Sequence, residues 1–180
     1  MSVDLRVIKT KERLHETLIA LLKEMPLEKI KISVLCQRAQ INRGTFYLHY
    51  ESVDALFADF FEQIIADLRE AYLEPLRTKT PLKIKELDSK TVRIFHHIKK
   101  YENFYRIVFS KNAPLAYYYM LLEQITLNLR ENAHVHNDYF IAYQANAITG
   151  LALQWAQRDF QETPEELSEV LVQILRQKGE

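Results

Sequence analysis

Little in this sequence can make a tight turn or a covalent staple. Of 180 residues only three are glycine (Gly44, Gly150, Gly179) and five are proline. That is too few for a succession of hairpins or a glycine-rich phosphate loop. A single cysteine, Cys36, excludes an internal disulfide and suits a reducing compartment. Its apolar neighbours mark it as a small core thiol rather than a nucleophile. No apolar run approaches the ~20 residues of a membrane span, and the start, MSVDLRVIKTKER, is too polar for a secretory signal. The expectation from these absences is a cytoplasmic protein with no membrane contact, built from helices.

Net charge is also missing, since 24 basic side chains balance 24 acidic ones. Its distribution is uneven, however. Residues 1–50 hold nine Lys/Arg against five acids, whereas residues 51–74 hold seven acids and Arg69 alone. A basic head before an acidic segment suits a head that meets a polyanion. Hydrophobic residues make up 48% and charged ones 27%, so the chain can bury a core and is not a disordered tail.

Hydrophobic spacing gives about nine helices and no strand alternation. Ile8, Leu14, Leu18, Leu21 and Leu22 mark one over Val7–Lys23, stopped by Pro26. Short helices follow over Ser33–Ala39 and Arg43–His49, the second capped by Asn42. Ser52 caps a long helix over Val53–Leu73, and residues 75–83 (PLRTKTPLK) read as a linker. Beyond it, helices are expected over Ile84–Lys100, Glu102–Phe109, Pro114–Asn132, Asp138–Arg158 and Pro164–Gln177. The last opens on a capping box, Thr163 with Glu166, and Pro164 at its first position.

Two short helices joined by a tight turn, after a longer one, form a helix-turn-helix over about residues 31–50. Leu35 and Ala39 are placed to pack on Ile41 and Phe46, which turns the other face of the second helix outward. That face offers Arg43, Thr45, Tyr47, Leu48 and His49. Arginine can read guanine, threonine can reach a base or a thymine methyl, and Tyr and His can donate to phosphate. Lys31 adds a point charge for phosphate, Gln40 a further base reader, and Asn42 and Gly44 complete the candidate set. Gly44 lets the backbone approach DNA closely.

The run Ile41-Asn42-Arg43-Gly44-Thr45-Phe46-Tyr47-Leu48-His49-Tyr50, then Ser52 and Asp54-Ala55-Leu56-Phe57, resembles the signature of the TetR/AcrR family of transcriptional regulators. The likeness covers about residues 8–68. It implies an all-α fold, with a three-helix DNA-binding domain over 8–68 and a ligand-binding and dimerisation bundle over 75–180. The body is similar to C-terminal domains of a Firmicutes branch through Tyr101–Tyr105, Gly150–Trp155 and Thr163–Glu166. By the same resemblance Tyr47 and His49 hold phosphates, while Arg43, Gly44 and Thr45 approach bases. Three positions depart from the family pattern: Gln40 stands where Gly is usual, Val53 where Lys is common, and Lys31 where Ser or Thr is frequent. A non-glycine residue at position 40 implies a left-handed backbone at a steric cost.

Residues 95–119 are crowded with aromatics. Such residues at helical spacing usually fill a core, yet tyrosine hydroxyls also suit a cavity with polar handles. The candidate lining is His97, Tyr101, Tyr105, Phe109, Tyr118, Tyr143 and Trp155. Small residues on the penultimate helix and a wide apolar stripe on the last one suit a dimer interface, with Ala145, Ile148, Ala152, Leu167, Val170, Leu171 and Ile174 as candidates. The same stripe would serve equally to close the monomer's own core. His96-His97 and His134-Val135-His136 lack the converging ligands that zinc requires. No nucleophile–base pair or cofactor motif asks for catalysis, so neither an enzyme nor a bound cofactor is expected. The expected function is a homodimeric repressor on a palindromic double-stranded DNA operator, responsive to a small-molecule effector. The alternative is a co-regulator of the same fold that acts through protein–protein contacts with little DNA binding.

Overall fold

The computed structural model describes residues 5–78, 87–110, 113–132 and 137–177. Among them are nine α-helices and no strand. They are α1 (Leu5–Leu22), α2 (Ile32–Ala39), α3 (Arg43–Tyr47), α4 (Val53–Thr78), α5 (Ile94–Lys100), α6 (Glu102–Val108), α7 (Leu115–Asn132), α8 (Asp138–Gln157) and α9 (Pro164–Gln177). The chain divides into two compact units, Met1–Ile64 and Ile65–Glu180.

In the first unit, Leu14, Leu18 and Leu21 repeat along one face of α1 and are fully buried, as are Leu35, Phe46 and Leu56. Burying a side chain such as Phe46 contributes about 1.5–3 kcal/mol. Pro26 follows α1, and a single 3-10 turn, Leu27–Lys29, leads to α2. Arg38 of α2 grips Glu24 with two parallel bonds, Nη1 to Oε1 at 2.5 Å and Nη2 to Oε2 at 2.7 Å. This fork geometry fixes α2 against the end of α1.

The second unit is a helical bundle in which α7 packs along α8 and α5 along α9. Phe95, Tyr105, Leu121 and Trp155 are among its most buried side chains. The capping box at α9 forms as the sequence implies: the Thr163 amide donates to Glu166 Oε2 at 2.7 Å, and the Glu166 amide to Thr163 Oγ1 at 3.2 Å.

Two boundaries differ from expectation. α4 continues through Pro75 to Thr78, so residues 75–78 of the expected linker are helical; the rest of that stretch lies outside the described residues. The helix expected from Ile84 begins only at Ile94. Asp88 explains part of the delay, because its carboxylate accepts the Lys90 amide at 3.0 Å and nucleates a 3-10 turn, Ser89–Thr91, in place of an α-helix. Ile84 itself, and His134 and His136 of the discarded metal reading, lie outside the described residues. Among the described residues no cluster of His, Cys, Asp and Glu could hold a metal ion.

Candidate nucleic-acid interface

The outer face of α3 is produced by its buried one. Phe46 is fully buried and Ala39 nearly so, which anchors α3 across α2 by a single large side chain. The helix then has no choice about which residues face out. Arg43 is exposed, Tyr47 is 51% exposed and Leu48 is 81% exposed, while Thr45 and His49 are half-buried. Tyr47 leans on Phe46 edge-to-face, with ring centroids 5.6 Å apart. Lys31 and Gln40, at the two ends of α2, are exposed as well.

Local chemistry sets the position of this helix. Asn42 Oδ1 accepts the Thr45 amide at 2.7 Å and the Thr45 hydroxyl at 3.0 Å. The cap thus satisfies an orphan amide and also fixes the Thr45 side chain, whose oxygen keeps lone pairs for an outside donor. Gln40 adopts the left-handed conformation, φ 53° and ψ 42°, as its departure from glycine implies. The reversal lets the Ile41 amide reach back to the Cys36 carbonyl at 3.0 Å and close α2. At Gly44, an added Cβ would come to 3.3 Å of Asn42 Oδ1. The glycine therefore makes room for the cap. α3 ends at Tyr47, and Leu48 and His49 follow in a turn. Cys36 is buried, and burial pushes its thiol up from the ordinary value, consistent with an inert core residue.

A polar network behind the motif was not legible in the sequence. The Tyr50 hydroxyl donates to Asp59 Oδ2 at 2.6 Å, and Asp59 also receives Lys11 Nζ at 3.3 Å and Gln63 Nε2 at 3.2 Å. His15 Nε2 lies 3.3 Å from the same carboxylate oxygen. Burial pushes the Tyr50 phenol up, aided by Asp59. Burial also lowers His15, overcoming the pull of Asp59 in the other direction. The only hint in the sequence is an acid, Asp59, set among the phenylalanines of α4.

In the second unit the expected pocket residues separate. His97, Tyr105 and Trp155 are buried in the core. Their polar atoms are satisfied internally: His97 Nδ1 lies 2.7 Å from Asp67 Oδ2, His97 Nε2 lies 2.7 Å from the Tyr105 hydroxyl, and Trp155 Nε1 donates to the Glu162 carbonyl at 3.1 Å. Tyr101 lies tilted beside His97, Tyr118 meets Tyr119 edge-to-face, and Phe109 lines a separate depression with Arg106 and Gln157. Of the seven, Tyr143 alone borders a half-open apolar cavity of about 370 Å³. Its walls include Tyr72 of α4, Leu129 of α7, Ile148 and Leu151 of α8, and Leu171 and Ile174 of α9.

The expected dimer residues divide in the same way. Ala145, Ala152 and Leu167 are buried inside the chain, where the two alanines serve the close packing of α8 within its own bundle. Ile148, Leu171 and Ile174 border the cavity, and Val170 is 42% exposed. The outward side of α8 instead carries Tyr139, Ala142, Tyr143, Asn146, Ala147 and Gly150. No charged residue occurs between Asp138 and Arg158.

Comparison with known proteins agrees with this architecture. Residues 85–177 match the TetR-type family described as "Transcriptional regulator C-terminal region". The uncharacterized HTH-type transcriptional regulator YxbF of Bacillus subtilis (strain 168) is 21% identical over 172 residues, which cover 92% of this chain and 44% of that protein. The chain therefore spans less than half the length of the curated relative it matches. Among solved structures, the dihydroxyacetone kinase operon activator DhaS is similar with a TM-score of 0.63 and 17% identity, over 94% of this chain and 95% of its own. A TetR transcriptional regulator from Streptococcus agalactiae 2603V gives 0.60 and 19%, over 96% of each chain. A TetR/AcrR-type regulator from Aquifex aeolicus VF5 gives 0.60 and 16%, over 93% of this chain and 98% of its own. At these identities the structural likeness is one of fold.

Proposed function

This chain belongs to the TetR/AcrR family of transcriptional regulators, and from that premise we propose that it represses transcription as a homodimer on a palindromic operator, releasing DNA when a small molecule fills the apolar cavity. The observation that carries the reading is the outer face of α3. A buried Phe46 holds out Arg43, Tyr47 and Leu48, with Thr45 and His49 beside them. In this arrangement Lys31, Tyr47 and His49 hold phosphates while Arg43 and Thr45, with Gln40, read base edges. Asn42 and Gly44 set the helix at its distance from the duplex.

A five-residue helix reads few base pairs, so one head alone binds weakly. Two heads one helical turn apart, about 34–36 Å, add their affinities on a two-fold site. The uncharged outward side of α8 supports a second copy as its partner. A large apolar, charge-free face is unfavourable in water and costs no buried charge when two copies meet. At Gly150 nothing lies within 4 Å of the place a Cβ would take, so two helices can approach closely there.

An effector shifts DNA affinity only by binding one dimer state more tightly than the other. Selection of bound fragments from random genomic DNA supplies the operator, and gel shifts across several salt concentrations then test the reading. Wild type should bind a two-fold sequence with steep salt dependence. Arg43→Ala should weaken that binding by about 1–3 kcal/mol and relax the preference at one base pair. An Arg43→Ala protein that binds as tightly and selectively as wild type would remove Arg43 from base readout.

A further inference from the structure

The cavity in the second unit has an uneven chemistry. Its walls are aliphatic almost throughout, and among the described residues no Asp or Glu borders it. Among the described residues the one charged side chain on its lining is Arg93, which precedes α5, and the other polar groups are Tyr72, Tyr143 and Gln144. Arg93 is exposed, and among the described residues no carboxylate lies within ion-pair distance of it. The nearby acid, Glu165, is held by His96 Nε2 at 3.0 Å and feels the Arg93 charge without pairing with it; Arg93 Nη1 itself lies 3.5 Å from His96 Nε2. Burial pushes the Tyr72 phenol up from its ordinary value. A volume of about 370 Å³ stands at the small end of the roughly 300–1,000 Å³ usual for ligand sites.

Those features exclude some ligand classes physically. A cation would meet Arg93 and, among the described lining residues, no carboxylate. A sugar or a multiply charged metabolite would leave its polar groups unpaired against leucine and isoleucine, at a steep desolvation cost. The geometry points to an amphipathic monoanion: an apolar body of medium length in the cavity, with one carboxylate on Arg93. The Tyr72 phenol, also on the lining, serves as a further donor. This assignment rests on the effector-binding reading above and adds the chemistry of the effector. Arg93 selects for the anion, and the aliphatic walls measure the length of the chain.

The experiment is calorimetric titration of the full chain with octanoate, hexanoate, 1-octanol and octylammonium at low salt. Octanoate should bind at least tenfold more tightly than 1-octanol, and octylammonium should not bind. Each added methylene should tighten binding about fourfold. Arg93→Gln should abolish the preference for octanoate over octanol, and Arg93→Lys should keep most of it. Leu151→Trp, which fills the cavity from α8, should block every probe. Because Arg93 is exposed, its substitution tests recognition without disturbing the core, and an unchanged melting curve confirms that. Equal binding of octanoate and octanol, or a preference that survives in Arg93→Gln, overturns the anion assignment while leaving the cavity as a ligand site. Failure of all four probes to bind wild type overturns the assignment and the effector-binding reading together. Octanoate binding without DNA release overturns only the regulatory role.

Discussion

The Tyr50 hydroxyl donates to Asp59 Oδ2 at 2.6 Å, which ties the residue that ends the helix-turn-helix to the helix that follows it. The same carboxylate gathers Lys11 and His15 from α1, so one acid joins three segments of the first unit. Tyr50→Phe keeps the ring in place and removes this bond together with the longer contact to His15 Nε2 at 3.4 Å. Hydrogen bonds to a charged group contribute about 1.5–3 kcal/mol. The lower end of that range applies here, because Asp59 retains Lys11 and Gln63 as partners. Thermal or urea denaturation should show a loss of about 1.5 kcal/mol. Unchanged stability would mean that the bond is replaced without cost.

Gln40 offers a test of the opposite sign. Its left-handed backbone costs a residue with a side chain about 1–2 kcal/mol. Gln40→Gly relieves that cost, partly offset by the greater freedom of glycine in the unfolded chain. A net gain of about 1 kcal/mol corresponds to roughly 2–4 °C in melting temperature for a chain of this length. If the variant is stabilised but loses base selectivity, Gln40 is retained for reading DNA.

His97 makes stability depend on pH. With Asp67 as acceptor at Nδ1, that nitrogen carries the proton, and Nε2 accepts from the Tyr105 hydroxyl. Burial lowers His97 from the ordinary 6.5, against the opposite pull of Asp67. Burial lowers His15 likewise. In both cases the unfolded chain takes up the proton first as pH falls, so the stability present above 6.5 is lost between 6.5 and the lowered folded value. Asp59 and Asp67 also sit below their ordinary 3.8, because their hydrogen bonds and ion pairs outweigh burial. Their contribution is lost only under stronger acid. Melting temperature should therefore fall between pH 7.5 and 5.5. His97→Gln should be less stable throughout, yet show a smaller fall over that window. An equal fall in the two proteins would assign the pH dependence elsewhere.

What the sequence made legible follows from the range of the interactions involved. The caps at Asn42, Ser52 and Thr163 are contacts between residues three apart, so residue type and spacing sufficed. The left-handed turn at Gln40 was readable because one position broke a familiar pattern. The 3-10 turn at Ser89–Thr91 was hidden by apolar spacing that suits a helix equally well. The cavity, and the pairing of Asp67 with His97 thirty residues on, depend on which helices meet. Ala145 and Ala152 are buried within the chain's own bundle, and spacing alone does not distinguish a neighbour in the same chain from one in a second copy.

Leu48 gives the last prediction. It directly follows α3, is 81% exposed, and belongs with Arg43 and Tyr47 to the surface we propose for DNA. A lone exposed leucine is unremarkable on most surfaces. Here its position is where an apolar side chain can recognise the C5-methyl of thymine, the one apolar feature of the major-groove edge. Removing a buried methyl should cost about fourfold in affinity. Replacing single thymines of the selected operator by uracil should therefore weaken wild-type binding about fourfold at one position in each half-site. In Leu48→Ala, overall binding should be weaker and that uracil substitution should have no further effect, because the partner of the methyl is already gone. If Leu48→Ala remains as sensitive to uracil as wild type, the methyl is read by another side chain, for which Thr45 is the remaining candidate on this face.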